Sequence, residues 1–276
     1  MITRRAFGKL AAAAFAKINS KIDGVTLGAQ TYSFRDRPLD ACIAGMKEVG
    51  LGEAELYNGH IEPKDPAALK AFHDDPPLDQ MRDVRRKFDA AGIELYALNY
   101  SFREDWTDRQ LTSGFEIAKA IGVKYITASS NVSTAKRLDP LAQKYRIVVA
   151  FHNHSNMAAN EFARPGDFAE ALSGKSRYMA INLDIGHFTA AGYDPVSFLL
   201  EHHERIITLH IKDRKKNQGP AVPFGQGDTK IKEVLQVLKK KRFPIPANIE
   251  YEYRGGDTIV EMKKCFAYCK AALEEV

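Results

Sequence analysis

Residues 146–151, RIVVAF, run directly into His152-Asn153-His154-Ser155-Asn156. Their apolar residues are consecutive rather than alternating, as expected of a strand in a parallel sheet that is covered on both faces. Seven other stretches have a similar character: VTLGAQ (25–30), EAELY (53–57), IELYALN (93–99), KYITAS (124–129), YMAINLD (178–184), RIITLHI (205–211) and ANIEYEY (247–253). Helix-like segments stand between them, among them LDQMRDVRRKFDAA, TDRQLTSGFEIAKAI and DTKIKEVLQVLKKK. Many open with Asp, Thr or Pro, as at Asp194-Pro195, and close near Gly, as at Gly92 and Gly122, which are start and stop signals for helices. Eight alternations at a repeat of about thirty residues predict one α/β domain, a (β/α)8 TIM barrel over residues 24–276, rather than an open sheet. The stretch 59–77, with Pro63, Pro66, Pro76 and Pro77, is expected to be an elaborated irregular loop after the second strand. In such a barrel the functional site lies at the C-terminal ends of the strands.

The composition fits a soluble domain with a large core: 276 residues, 45% hydrophobic and 27% charged with both signs present. Formal charge is +5, and setting aside Arg4, Arg5 and Lys9 near the N-terminus lowers it by three to +2. That balance argues against a nucleic-acid partner. No stretch approaches the ~18 apolar residues of a membrane span, so no membrane partner is expected. Residues 1–16, MITRRAFGKLAAAAFA, pair two arginines with an alanine-rich run ending in Ala14-Phe15-Ala16. They resemble a twin-arginine export signal, which implies a periplasmic or exported protein, with a cytoplasmic one as the alternative if the short apolar run does not function. Cys42, Cys265 and Cys269 cannot supply a disulfide framework and are expected to pack in the interior.

Four of the eight histidines, His152, His154, His187 and His210, fall at or just beyond the ends of the fifth, sixth and seventh strand signals. Asp184 ends the sixth, Asp213 follows the seventh, and Glu250 and Glu252 share one side-chain parity on the eighth. A lone strand-end histidine or aspartate is more often a hydrogen-bonded cap than a ligand. A ring of imidazoles and carboxylates on adjacent strands is instead the chemistry of a divalent metal such as Mn, Co, Zn or Mg. Strand parity turns His152 and His154 to the same side, and position favours His152 as the metal ligand with His154 beside it.

NLDIGHFTAAGYDP, RIITLHIKDR, FGQGDTKI and ANIEYEY, in this order, resemble the C-terminal half of the xylose isomerase-like superfamily of sugar phosphate isomerases and epimerases, which includes inosose dehydratase and, more distantly, endonuclease IV. LGAQTYSF and AELYNG match it more loosely in the first half. The resemblance implies that Asp184, His210 and Glu250 ligate a divalent metal, that His187 holds a substrate oxygen, and that Lys212, Asp213 and the basic run Arg214 to Lys216 contact substrate. Glu55 is a further pocket residue or a salt-bridged filler of the barrel. The epimerases of this superfamily carry a glutamate at the end of strand five, where this chain has His152.

The expected function is therefore that of a metal-dependent isomerase or epimerase acting on a ketose or keto-sugar through an enediolate, with Glu250 as base and His154 as a second acid. The alternatives are a dehydratase or lyase of the inosose dehydratase kind, an endonuclease IV-like nuclease, and a non-catalytic sugar-binding protein. The expected partner is a small sugar. Its identity is expected to depend on loop side chains such as Tyr32, Phe34, Asn99, Trp106, Asn131 and Phe224, with packing of the loops as the alternative role for several of them.

Overall fold

The computed structural model describes residues 16–275, so the export-signal stretch lies outside the described residues save for Ala16. Nine strands follow in order: β1 (Lys21–Ile22), β2 (Val25–Gln30), β3 (Glu53–Tyr57), β4 (Glu94–Asn99), β5 (Tyr125–Ala128), β6 (Val148–His152), β7 (Met179–Asp184), β8 (Ile206–Ile211) and β9 (Ala247–Ile249). The helices are α1 (Leu39–Val49), α2 (Pro66–Asp74), α3 (Leu78–Ala91), α4 (Asp108–Ile121), α5 (Ala135–Tyr145), α6 (Pro165–Leu172), α7 (Ile185–Ala190), α8 (Pro195–His202), α9 (Ile231–Lys241) and α10 (Thr258–Glu274). Strands β2 to β9 pair in parallel in chain order, and β9 pairs back onto β2, which closes the (β/α)8 barrel. β1 adds a two-residue antiparallel pair to β2, too short to leave a periodic signal.

Seven of the eight barrel strands lie within the apolar stretches, β6 runs one residue past its stretch to include His152, and the last is shorter: β9 ends at Ile249, and Glu250 to Tyr253 continue as non-strand chain. The proline-rich stretch 59–77 is not irregular throughout, because it contains α2. Asp65 caps that helix by accepting from the Ala68 N–H, and Pro66 stands at its first position, where a missing N–H costs nothing. Gly92 and Gly122 end α3 and α4 in the left-handed conformation, at φ 73° and 81°, which spares a Cβ from strain.

Strand parity divides the barrel into two environments. Leu27, Leu56, Leu98, Ile126, Val149, Phe151, Ile181, Leu183, Leu209 and Ile249 are buried in the hydrophobic core. The alternate positions are polar, and they hydrogen-bond to one another across the interior: Gln30, Glu55, Thr127, Asn182, Thr208, His210 and Asn248. The strands are thus apolar on the outer side and polar within, rather than apolar on both sides. That inner face carries the site.

Candidate metal centre

His152 ends β6, Asp184 ends β7, His210 lies on β8, and Glu250 follows β9 directly. Asp184 and His210 are paired in the β7–β8 ladder, and His152 is level with Asn182, so the register brings the four to one end of the barrel. All four are buried, and one ligand atom from each lies within 4.8 Å of the others. His152 Nε2, Asp184 Oδ2, His210 Nδ1 and Glu250 Oε2 make no well-directed hydrogen bond. They converge on one another, His210 Nδ1 lying 2.9 Å from Glu250 Oε2, and the Lys212 ammonium stands 3.1 Å and 3.2 Å from the two carboxylate oxygens. Convergent buried atoms of this kind are the donor set a divalent cation takes.

The other atoms of three of these side chains are held. His152 Nδ1 stands 3.2 Å from Ser129 Oγ, Asp184 Oδ1 accepts from the His187 backbone N–H at 2.6 Å, and His210 Nε2 stands 2.9 Å from Glu55 Oε2. The last contact is the carboxylate–histidine pair that orients metal-ligating imidazoles. Asn153 joins the ends of β6 and β7, donating to the Asp184 carbonyl and accepting from its N–H, both at 3.0 Å. Two imidazole nitrogens and two carboxylate oxygens suit a divalent ion, and the group could hold one.

Four residues expected to contact substrate have protein partners. Glu55 is fully buried and bonded to Gln30 Nε2 (2.7 Å), Thr127 Oγ1 (2.5 Å) and His210, so it positions the His210 imidazole and is not among the residues that line the cavity. Lys212 is 1% exposed, and its ammonium lies 2.6 Å from Glu252, 3.1 Å from Asp184 and 3.2 Å from Glu250. Asp213 accepts from the backbone N–H groups of Gly225, Gly227 and Thr229. His187 lines the cavity, but its Nε2 faces Lys212 Nζ at 3.0 Å and its Nδ1 faces Arg214 at 2.6 Å. A neutral imidazole has a single acceptor nitrogen, so only one of these cations donates to it. Glu252, two residues past Glu250, stands outside the four-residue group as the partner of Lys212.

Burial alone would raise the carboxyls of Asp184 and Glu250, but Lys212 overrides it in both, aided by His187 at Asp184 and His210 at Glu250. Both are held well below the ordinary range. Burial works against charge on His210 too, yet Glu55 and Glu250 push it well above its ordinary value. Burial and Lys212 drive His187 well down, and burial, His152 and Lys212 push His154 down to about 4. His154 is therefore a neutral imidazole at physiological pH.

A cavity of about 250 Å³ opens above the group, lined by Gln30, Tyr32, Tyr57, Asn58, Asn99, Ser101, Ser129, His152, His154, His187, His210, Glu250 and Glu252. Tyr32 and Asn99 are there as expected, whereas Phe34, Trp106, Asn131 and Phe224 are not among its lining residues. Asn58, Ser101, Ser129 and Asn153 were missed by the sequence reasoning. Their only signal is that each is a polar residue at or just past a strand end.

A closed parallel barrel with a buried His/Asp/Glu group at the mouth defines the class, a (β/α)8 barrel whose site could hold a metal ion. The model of the xylose isomerase-like TIM barrel family matches residues 46–269, and the chain belongs to that family. The rhizopine catabolism protein MocC of Rhizobium meliloti is 24% identical over 198 residues, covering 64% of this chain and 58% of the relative. The "Probable L-ribulose-5-phosphate 3-epimerase UlaE" of Mycoplasma pneumoniae is 25% identical over 127 residues, 45% of this chain and 40% of that protein. The chain thus spans about half the length of these curated relatives. A solved structure described as IolI protein with a binding zinc atom has a TM-score of 0.67 at 17% identity, over 91% of this chain and 99% of the other. At that identity the likeness speaks for the fold.

Proposed function

We propose that the protein is a metal-dependent isomerase or epimerase of a keto-sugar. The observation that carries this reading is the convergence of two buried imidazoles and two buried carboxylates, His152, Asp184, His210 and Glu250, beneath a small polar cavity. The epimerase name of one relative and the zinc atom described for one structural neighbour support it. A divalent ion bound by His152, Asp184, His210 and Glu250 supplies Lewis-acid stabilisation of the negative charge that develops on a carbonyl oxygen when the adjacent carbon loses its proton.

The chain's own residues do the rest. Glu250, which lines the cavity, takes the proton from the carbon next to the carbonyl and returns it. His154, half-buried and neutral, exchanges a proton with a substrate oxygen. Lys212 fixes the Glu250 and Glu252 carboxylates at the cavity wall.

Dehydration is the second reading, favoured by one feature: a neutral imidazole beside the ligand group is suited to protonating a departing hydroxyl. Metal-loaded protein incubated with keto-sugars in deuterated water separates the two. Isomerisation places solvent deuterium at the carbon next to the carbonyl with no loss of water, and dehydration yields an unsaturated product. Neither outcome with any keto-sugar would remove both readings.

A further inference from the structure

We infer that Asn58 selects among keto-sugars by accepting one substrate hydroxyl, and that Glu62 and His73, which stand behind it and outside the cavity, position its carboxamide. This rests on the keto-sugar reading above and names the part of the wall that discriminates. The ligand group occupies one half of the ring, on β6 to β8 and the chain after β9. The half formed by β2 to β5 therefore faces whatever part of a sugar lies away from the ion. Tyr32, Tyr57, Asn58, Asn99, Ser101 and Ser129 line the cavity from that half. Ser129 Oγ stands 3.2 Å from His152 Nδ1, and Ser101 Oγ accepts from the Ser129 N–H at 3.1 Å, so these two serve the centre itself. Asn58 is tied instead to a line of side chains that leads away from it.

That line starts with a turn. The Asn58 carbonyl accepts from the N–H groups of Ile61 and Glu62, both at 2.9 Å, which brings Glu62 within reach of the Asn58 side chain. Glu62 Oε2 accepts from Asn58 Nδ2 at 2.7 Å, and Glu62 Oε1 stands 3.0 Å from His73 Nε2. Facing a carboxylate, that nitrogen is the donor. His73 is buried, with its ring 4.5 Å from Trp106 and 5.9 Å from Tyr100 between centroids. It lies in the last turn of α2, which is fastened to α4 at three points. Ser113 Oγ donates to the His73 carbonyl at 2.6 Å, Arg109 to the Asp74 carbonyl at 2.8 Å and Gln110 to the Asp74 carboxylate at 3.0 Å. Neither Glu62 nor His73 lines the cavity, so both act on a ligand only through Asn58. Their effect is to choose between the two orientations of its carboxamide, since the reverse one would set Oδ1 against the Glu62 carboxylate. With Nδ2 committed, Oδ1 is the acceptor offered to a ligand, and the matching group on a sugar is a hydroxyl.

The test uses metal-loaded protein with keto-sugars and their monodeoxy analogues, in the deuterium-exchange assay and in calorimetric titration. Wild type should prefer a parent sugar to the analogue lacking one particular hydroxyl by at least about tenfold in kcat/KM. Asn58→Ala should abolish that preference at that carbon alone and raise KM for the parent sugar about tenfold, with a smaller change in kcat. His73→Leu, which removes the donor to Glu62, should also raise KM, and His73→Gln, which keeps an N–H donor, should hold it near wild type. In the Asn58→Ala background His73→Leu should change KM no further, whereas a residue that only supports the fold would weaken binding in both backgrounds. Glu62→Ala serves the same cycle if His73→Leu does not fold. An Asn58→Ala variant with unchanged KM and preference, or an equal effect of the second substitution in both backgrounds, overturns the inference and leaves the isomerase reading standing. Sugars that bind without exchange sink that reading alone, and the same comparisons are then made on dissociation constants. Binding of no keto-sugar overturns both.

Discussion

His152 and His154 are two residues apart and face the same cavity, yet the structure gives them different surroundings. The Nε2 of His152 makes no well-directed hydrogen bond and points into the Asp184, His210 and Glu250 group, while His154 packs edge-on against the His152 and His187 rings. His152→Ala should therefore lower metal affinity by more than the roughly 10–100-fold typical of losing an outer partner, and His154→Ala should leave metal content near wild type. Metal analysis of both purified variants decides this, and equal metal content in the two would show that His152 is no ligand. Four of the grouped residues were legible as polar residues at strand ends. The roles of Glu55, Lys212, Asp213 and His187 were not, because a sequence shows which residue reaches the mouth of a barrel but not which neighbour has already used its polar atoms.

At the scale of elements, Asn153 joins β6 to β7 through two bonds to the backbone of Asp184. Asn153→Ala leaves a buried N–H and a buried carbonyl unpaired and should cost about 1–3 kcal/mol in denaturant unfolding, with weaker metal binding as Asp184 shifts. An unchanged unfolding midpoint would speak against the clamp. Lower in the barrel, Glu53 on β3 is 4% exposed, and burial holds its carboxyl well above the ordinary 4.5. The unfolded chain releases that proton near 4.5 while the folded chain keeps it. Its contribution to stability is therefore complete below that pH and is lost as pH rises toward the folded value. Glu53→Gln mimics the protonated acid, so thermal melts should place the variant above wild type at pH 8 and nearer to it at pH 5. A difference independent of pH would show that Glu53 is not the titrating group. The helix of residues 66–74 escaped the sequence reading for a related reason: four prolines in nineteen residues read as loop until Asp65 is seen to cap and Pro66 to start a helix.

For the whole molecule, the ligand group ties together the ends of β6, β7 and β8 and the chain after β9, four of the eight positions around the ring. A bound ion should stabilise the folded barrel by about 2.7 kcal/mol when its free concentration is a hundredfold above its dissociation constant. Chelation should therefore lower Tm, and added Zn or Mn should restore it. A melting curve indifferent to both would argue that no ion bridges the strands. Among the described residues no helix is long and apolar enough to cross a membrane.

The amino-acid sequence by itself determined the eight-fold alternation of apolar strand and amphipathic helix, and with it the barrel, because these patterns follow from local periodicity and from which side of each element must leave water. It also determined that imidazoles and carboxylates would gather at one end, since strand ends are fixed once strands are. Only the tertiary structure decided which of them share a centre, that Glu55 and Lys212 hold other residues, and that Asp213 fills a loop. Register between strands and the pairing of charges depend on groups up to 155 positions apart in the chain, as between Glu55 and His210, and no local pattern records them.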